Sequence, residues 1–533
     1  MARGGAAARD RILLSFDGLE LSPAAAEDLV RRAAGVTFYR HLNIRSAPQV
    51  RALTDTLQAA AARLGLPRLL IAADHETGQL HALGQDATPF AGAMALGATR
   101  DADLAERVGA AIGTELRAVG VNLVYAPVCD LATNPRNAVV GIRSFGDDPA
   151  SVGRLEAATV RGLQSAGVAA TAKHFPGHGE PTGDSHLGLP VIERSADELR
   201  ERELVPFQAA IDAGARCVMA GHLAVPSLTG RRDRPATIAP EILRTLLRAD
   251  LGFGGVIVSD ALDMAGIAGD NGTGVDVAAA LDAGVDLLLC GPDPIAQLRV
   301  EAGLAAALAG GQFSRLDATG SDARIADLRR WLAGFGMPPI DVVGGPEHRA
   351  LAEELARRSI TTIRDDRGLL PIRVAADARA LVIEPRPRLL TPADTTASLA
   401  AGGLIAAIRE RHSGGAVGVV VDAAVTSAEI AALRDQAALS DLVILGTVDA
   451  LGEPSTGELA RALVGTGTPV IAVALRGPWD AAVYPEVGTV LATYGIQSPS
   501  LAALADALWG IAPTMGRLPV ALGQPPAAAR STN

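Results

Sequence analysis

The sequence predicts a (β/α)8-type barrel followed by a second domain built on an open, mostly parallel α/β sheet. Three observations carry that prediction. From about residue 30 to 345, short apolar runs alternate with helical stretches rich in Ala, Leu and Arg. The runs are dense in Val, Ile and Leu and do not alternate with polar residues, as parallel strands buried on both faces require. Five of the runs end in an ionisable residue, and strand C-termini of a barrel converge on one mouth.

The barrel runs, in order, are "GVTFY" (35–39), "RLLIAAD" (68–74), "VNLVYAPVCD" (121–130), "VAATAKH" (168–174), "CVMAGH" (217–222), "GGVIVSD" (254–260) and "VDLLLC" (285–290). Seven strands are legible in this way, and the eighth has no evident place. Asp74, Asp130, Lys173-His174, His222 and Asp260 close five of them. Around "GFGMPPIDVVGGPEH" (334–348) the composition turns to Gly and Pro, which reads as a connection. The expected division is a barrel over 1–340, a linker over 341–348 and a second domain over 349–525. The later runs are "RALVIEP" (379–385), "AVGVVVD" (416–422), "DLVILGT" (441–447), "PVIAVAL" (469–475) and "GTVLATY" (488–494), with helical segments between them. No Gly-rich phosphate loop of either usual spacing is present.

Bulk properties narrow the class. A chain of 533 residues with 49% hydrophobic and 20% charged residues is globular and large enough for two cores. A net charge of −11, with scattered arginines, argues against nucleic acid or an anionic membrane surface as partner. Three widely spaced cysteines, Cys129, Cys217 and Cys290, form no zinc or disulfide pattern. No stretch reads as a signal peptide or a membrane span. The expected setting is the cytoplasm, as a monomer or homodimer.

The most informative stretch is "KHFPGHG" at 173–179, which runs on to "DSH" at 184–186. Lys173 is the only lysine among 48 lysines and arginines, and it ends an apolar run instead of lying on a solvated helix face. Lysine is a compact charge and arginine a wide planar fork, so a tight pocket gripping a hydroxyl accepts the first and excludes the second. His174, His178 and His186 invite a metal reading. Pro176 and the glycines break any helix, however, so no facing i, i+4 pair exists, and neither metal nor cofactor is expected. Asp184 and His186 suit general acid/base chemistry, with the carboxylate holding the imidazole in one tautomer and raising its pKa; a polar turn capped by Asp184 is the bland alternative. The glycine-rich loop over 177–183 is expected to fold over a pocket mouth. Asp260 fits a carboxylate nucleophile and equally a helix N-cap, with Asp263 as neighbouring competitor. Asp74 and Arg143 together with Lys173 would line one mouth with both charge signs, which suits a polyhydroxylated neutral ligand.

The motifs "KHFPGHG…DSH", "APVCDLATNPRN", "RSFGDDP", "AGHLAVP" and "VIVSDALDM", with "ARRSITTIRDDRGLLPI" and "GRLPV" in the second half, identify a resemblance. Over roughly residues 10–520 the chain resembles glycoside hydrolase family 3, and within it the bacterial β-N-acetylglucosaminidase branch. The resemblance implies an αβα sandwich after the barrel and retaining hydrolysis through a covalent glycosyl-enzyme. It implies Asp260 as nucleophile, His186 as acid/base and Asp184 as the partner that orients His186. Asp74, Arg143, Lys173 and His174 match positions that bind sugar hydroxyls. His222 is grouped with them and, like Asp130, read as support. The implied substrate is a small amino-sugar glycoside, with terminal β-linked N-acetylglucosamine removed from peptidoglycan- or chitin-derived fragments. This chain has "DHETGQL" where the branch carries a "DxEGGRV"-like stretch, so that Thr77 replaces a glycine and Gln79 an arginine.

An imidazole in place of the second carboxylate removes a negative charge from the acceptor side. A glycoside phosphorylase, with phosphate as acceptor, is therefore the first alternative. A non-catalytic sugar-binding protein is the second. Because the acid/base comes from a barrel loop, the C-terminal domain is expected to be mainly structural.

Overall fold

The computed structural model describes residues 9–181, 188–264, 277–309, 318–391, 394–412 and 414–523. The first half is an eight-stranded parallel sheet. Its strands are β1 (Ile12–Leu14), β2 (Gly35–Phe38), β3 (Leu70–Ala73), β6 (Leu123–Val124), β7 (Ala169–Phe175), β8 (Cys217–Ala220), β9 (Val256–Ser259) and β10 (Leu288–Leu289). A hairpin of β4 (His75–Thr77) and β5 (Leu80–His81) follows β3. The sheet order is β10-β1-β2-β3-β6-β7-β8-β9, and a parallel bridge between Val258 and Leu287 joins its two ends. The result is a barrel. The strand that the sequence hides is β1, three residues of "RILLSF" between Arg11 and Ser15.

Side-chain parity along the strands separates two cores. Leu13, Leu70, Ala72, Leu123, Met219 and Val258 belong to one cluster, and Ile12, Ile71, Ala73 and Ile257 to another. The first fills the barrel interior, because alternate residues of a strand face opposite sides. Ile325, Leu328 and Leu332 of the helix Ala318–Ala333 join that interior cluster and plug one end. The second cluster lies between the strands and the surrounding helices.

The second half holds a six-stranded sheet. It comprises β11 (Thr361–Asp365), β12 (Ala380–Pro385), β13 (Ala416–Val421), β14 (Leu442–Thr447), β15 (Val470–Ala474) and β16 (Thr489–Ala492), in the order β11-β16-β15-β14-β12-β13. Every pair is parallel except β11 with β16. Val382, Ile444 and Ile471 pack with the helices Gly403–Arg411 and Ser498–Leu508 on one face. Leu381, Val443 and Val470 pack with Ser427–Ala437 and Pro454–Val464 on the other. This is an αβα sandwich. The helix Pro346–Ser359 ties it to the barrel, placing Leu351 and Leu355 in the barrel-side cluster and Ala356 in the sandwich core. Among the described residues no helix is long and apolar enough to cross a membrane.

Candidate functional site

A cavity of about 960 Å³ opens at the C-terminal ends of the barrel strands. Asp74 follows β3 directly, Lys173 and His174 lie within β7, and Asp260 follows β9 directly. All four line the cavity together with Arg143, which sits in the turn of 3-10 helix Gly141–Arg143. Asp184 and His186 lie outside the described residues, as do Thr182 and Gly183 of the loop that joins them to His178.

Lys173 is buried to 2% exposure because β7 is enclosed along its whole length. Its Nζ contacts Asp74 Oδ1 at 2.7 Å and Glu76 Oε1 at 2.6 Å. Arg143 donates to the same Glu76 from Nε and Nη2, both at 2.7 Å, and from Nη1 to the Val139 carbonyl at 2.8 Å. One carboxylate therefore orients both Lys173 and Arg143. Burial pushes the Glu76 carboxyl up, but Arg143 and then Lys173 outweigh it and bring the pKa down to about 2. Lys173 is itself held above its ordinary range: Asp74 and Glu76 overcome a larger single effect, burial, which works against its charge. The sequence reading passed over Glu76. The signal was the Asp74-x-Glu76 spacing, which in extended chain points both carboxylates to one side.

The hairpin that carries Glu76 turns tightly. A Cβ on Gly78 would stand 2.5 Å from Gly92 Cα, so a larger residue cannot sit there. Thr77 has φ 72°, in the left-handed region where a β-branched residue is strained. Its hydroxyl donates to the Ala91 carbonyl at 3.3 Å.

His174 is set by Asp130. Its Nδ1 lies 2.7 Å from Asp130 Oδ2, which leaves Nε2 as the remaining polar atom of the ring. The other carboxylate oxygen accepts from the backbone N–H groups of His174 at 3.2 Å and His178 at 2.7 Å. Asp130 thus supports the loop and does not line the cavity. His178, which does line it, has its pKa lowered mainly by burial.

Asp260 is fixed through its backbone, whose N–H donates to the Ala220 carbonyl at 3.0 Å. Its Oδ1 accepts from the Ala261 N–H at 2.8 Å. His222 stands behind this turn and is fully buried. Its Nε2 donates to the Ala261 carbonyl at 3.0 Å, and its Nδ1 lies 2.8 Å from Thr237 Oγ1. It is absent from the cavity wall, and its bond to the Ala261 carbonyl braces the Asp260 turn. Asp263 shares the wall but accepts from the Gly291 N–H at 3.0 Å. Burial, with smaller contributions from Asp293 and Asp260, raises its pKa.

The expectation of a merely structural C-terminal domain is overturned here. Leu389, Asp394, Thr395 and Ser398 of that domain line the same cavity. Nothing in the local sequence of this turn marks it, because the contact depends on how the two domains pack. Among the described residues, no three His, Cys, Asp or Glu side chains come together as a metal-binding group.

The chain matches the model of the glycosyl hydrolase family 3 N-terminal domain over residues 17–328. It is 32% identical to a beta-hexosaminidase A of Pseudoalteromonas piscicida, over 94% of this chain and 91% of that protein. It is 32% identical to a beta-N-acetylglucosaminidase/beta-glucosidase of Cellulomonas fimi, over 90% and 87%. The solved structure of a glycoside hydrolase family 3 beta-N-acetylglucosaminidase from Paenibacillus sp. superposes with a TM-score of 0.91. That pair shares 31% identity over 98% of this chain and 99% of the other.

Proposed function

The chain belongs to glycosyl hydrolase family 3, and from that premise we propose that it is a retaining exo-β-N-acetylglucosaminidase acting on peptidoglycan- or chitin-derived fragments. The observation that carries this reading is the convergence of Asp260 with Asp74, Arg143, Lys173 and His174 on one cavity. A carboxylate there faces a set of charged hydrogen-bonding groups, as a reacting sugar with several hydroxyls needs.

In the first step Asp260 attacks the anomeric carbon. A carbon–oxygen bond to the carboxylate forms as the bond to the aglycone oxygen breaks, and His186 gives that oxygen its proton. In the second step His186 takes a proton from water, the water oxygen attacks the same carbon, and the carboxylate leaves. Two displacements return the original anomeric configuration. The roles of His186 and Asp184 rest on the "DSH" motif. Lys173, Arg143 and Asp74 grip the ring hydroxyls, and the burial of Lys173 and Arg143 strengthens their charged hydrogen bonds. Three free and buried cysteines favour a reducing compartment, and we place the reaction in the cytoplasm.

The test is to trap the glycosyl-enzyme with a fluorinated N-acetylglucosamine donor and locate the modified residue by mass spectrometry. Modification of Asp260 is expected. Modification of Asp263 instead would sink the assignment. Release of p-nitrophenol from the β-N-acetylglucosaminide, with and without phosphate, separates hydrolysis from phosphorolysis, since only the latter yields a sugar 1-phosphate.

A further inference from the structure

The segment that brings the C-terminal domain to the cavity is held by one buried arginine. Arg476 lies just after β15 and is 2% exposed. Its guanidinium is divided between the domains. Nη1 lies 2.8 Å from Asp394 Oδ2 in its own domain, and Nη2 donates to the side-chain oxygen of Gln79 at the barrel hairpin.

Asp394 is fully engaged by its own turn. Oδ1 accepts from Thr396 N and Thr396 Oγ1, both at 2.7 Å. Oδ2 accepts from Leu390 N at 3.2 Å as well as from Arg476. A carboxylate so committed shapes the turn and has no lone pair left for a sugar. The turn presents Thr395, whose N–H and hydroxyl donate to the Gln79 carbonyl at 2.8 and 2.9 Å. The same hydroxyl accepts from His81 N at 3.1 Å. Gln497 adds a bond to the Gly78 carbonyl at 2.6 Å. The tip of the β4–β5 hairpin is thus tied to the sandwich domain from three sides, and three residues before Gln79 the hairpin carries Glu76.

We propose that Arg476 is a positioning residue for the sugar cavity: by bridging Asp394 and Gln79 it locks the hairpin, and so sets Glu76 and the two cations Lys173 and Arg143 against the substrate. A forked, permanently charged guanidinium suits a bridge to two acceptors in different domains. A buried ion pair is weak evidence for stability alone. The proposal rests on the reading of this cavity as a glycosidase site.

The experiment uses the full chain and the variants Arg476→Met, Arg476→Lys, Gln79→Ala and the double variant Arg476→Met/Gln79→Ala. Melting temperature, kcat and KM on p-nitrophenyl N-acetyl-β-D-glucosaminide, and calorimetric binding of N-acetylglucosamine are measured for each. Arg476→Met is expected to raise KM about tenfold with kcat changed less than about threefold, since loosened groups cost binding before chemistry. Arg476→Lys is expected to restore the melting temperature but not KM, because an ammonium keeps the charge near Asp394 and loses the fork. Gln79→Ala should raise KM comparably, and the double variant no further, as coupled residues do. Folded variants with KM within about twofold of wild type, or additive effects in the double variant, would overturn the proposal. If Arg476→Met fails to fold, Gln79→Ala, which removes no charge, decides by the same criterion. Wild-type turnover in the same assay reports separately on the glycosidase reading.

Discussion

The carboxylate of Glu76 stands 2.6 Å from Lys173 Nζ and holds Arg143 through two further contacts, so Lys173 and Arg143 share one buried counter-charge. Replacing Glu76 with Gln is expected to leave both cations facing each other without it. The result should be a fall in kcat/KM of about 10²-fold and a lower melting temperature, because an uncompensated buried charge is costly. The sign of the acid response follows from the depressed pKa. The contribution of Glu76 is complete above its unfolded value, the ordinary 4.5, and is lost as pH falls through about 2. Wild type should therefore lose stability relative to Glu76→Gln as pH falls from 4.5 towards 2. Parallel melting curves over that range would exclude the counter-charge role.

Lys173→Arg tests why one lysine survives in an arginine-rich chain. Lys173 Nζ fits between Asp74 and Glu76 with both contacts below 2.8 Å, and the side chain is 2% exposed. A guanidinium there must displace Asp74 or Arg143. We expect kcat/KM to fall about 10²-fold although the charge is kept. A rate within about threefold of wild type would show that only the charge matters.

Much of this site is legible in the sequence where a single strand dictates it. Lys173 and Asp260 were found because an apolar run places its last residue at the mouth. Glu76 was passed over because it lies beyond the apolar run, in the short hairpin strand β4, which carries no apolar pattern of its own. β1 was missed because three apolar residues between Arg11 and Ser15 carry too little pattern. Leu389, Asp394 and Thr395 were illegible for another reason: they lie far along the chain from the barrel strands whose cavity they share, and no local periodicity encodes the packing of one domain on another. Thr77 and Gln79, visible as departures from the family pattern, mark the hairpin where that packing happens.

Asp286 stands at the opposite end of the barrel and tests stability without chemistry. It is fully buried, accepts from the Ile257 N–H at 2.8 Å, and pairs with Arg248 at 2.7 Å and Arg324 at 2.8 Å. The end of a barrel away from its mouth serves stability and not chemistry. Asp286→Ala removes the carboxylate that Arg248, Arg324 and one strand amide share, and about 3–5 kcal/mol of stability is expected to go. Heat inactivation should begin at a clearly lower temperature, while KM in the folded enzyme stays at the wild-type value. A changed KM would place Asp286 in communication with the cavity.

Asp480 gives the sandwich domain a pH dependence of the opposite sense to that of Glu76. Its Oδ2 accepts from Thr447 Oγ1 at 2.7 Å and its Oδ1 from the Ala450 N–H at 2.8 Å. Burial nevertheless dominates and raises its pKa from 3.8 to about 7. Between those values the folded carboxyl keeps a proton that the unfolded one has lost. Raising the pH therefore draws protons off the unfolded state first and destabilises the fold. The penalty is absent below about pH 4 and complete above about pH 7; at about 1.4 kcal/mol per pKa unit its ceiling is about 4 kcal/mol. Asp480→Asn carries no charge at any pH, and its amide group can donate to Thr447 Oγ1 while its oxygen keeps the Ala450 N–H. The variant should match wild type at pH 4 and exceed it in stability at pH 8. The measurement is denaturant unfolding of both proteins across that range, followed through the tryptophans. Identical pH profiles would show that Asp480 ionises in the folded domain as an ordinary carboxylate does.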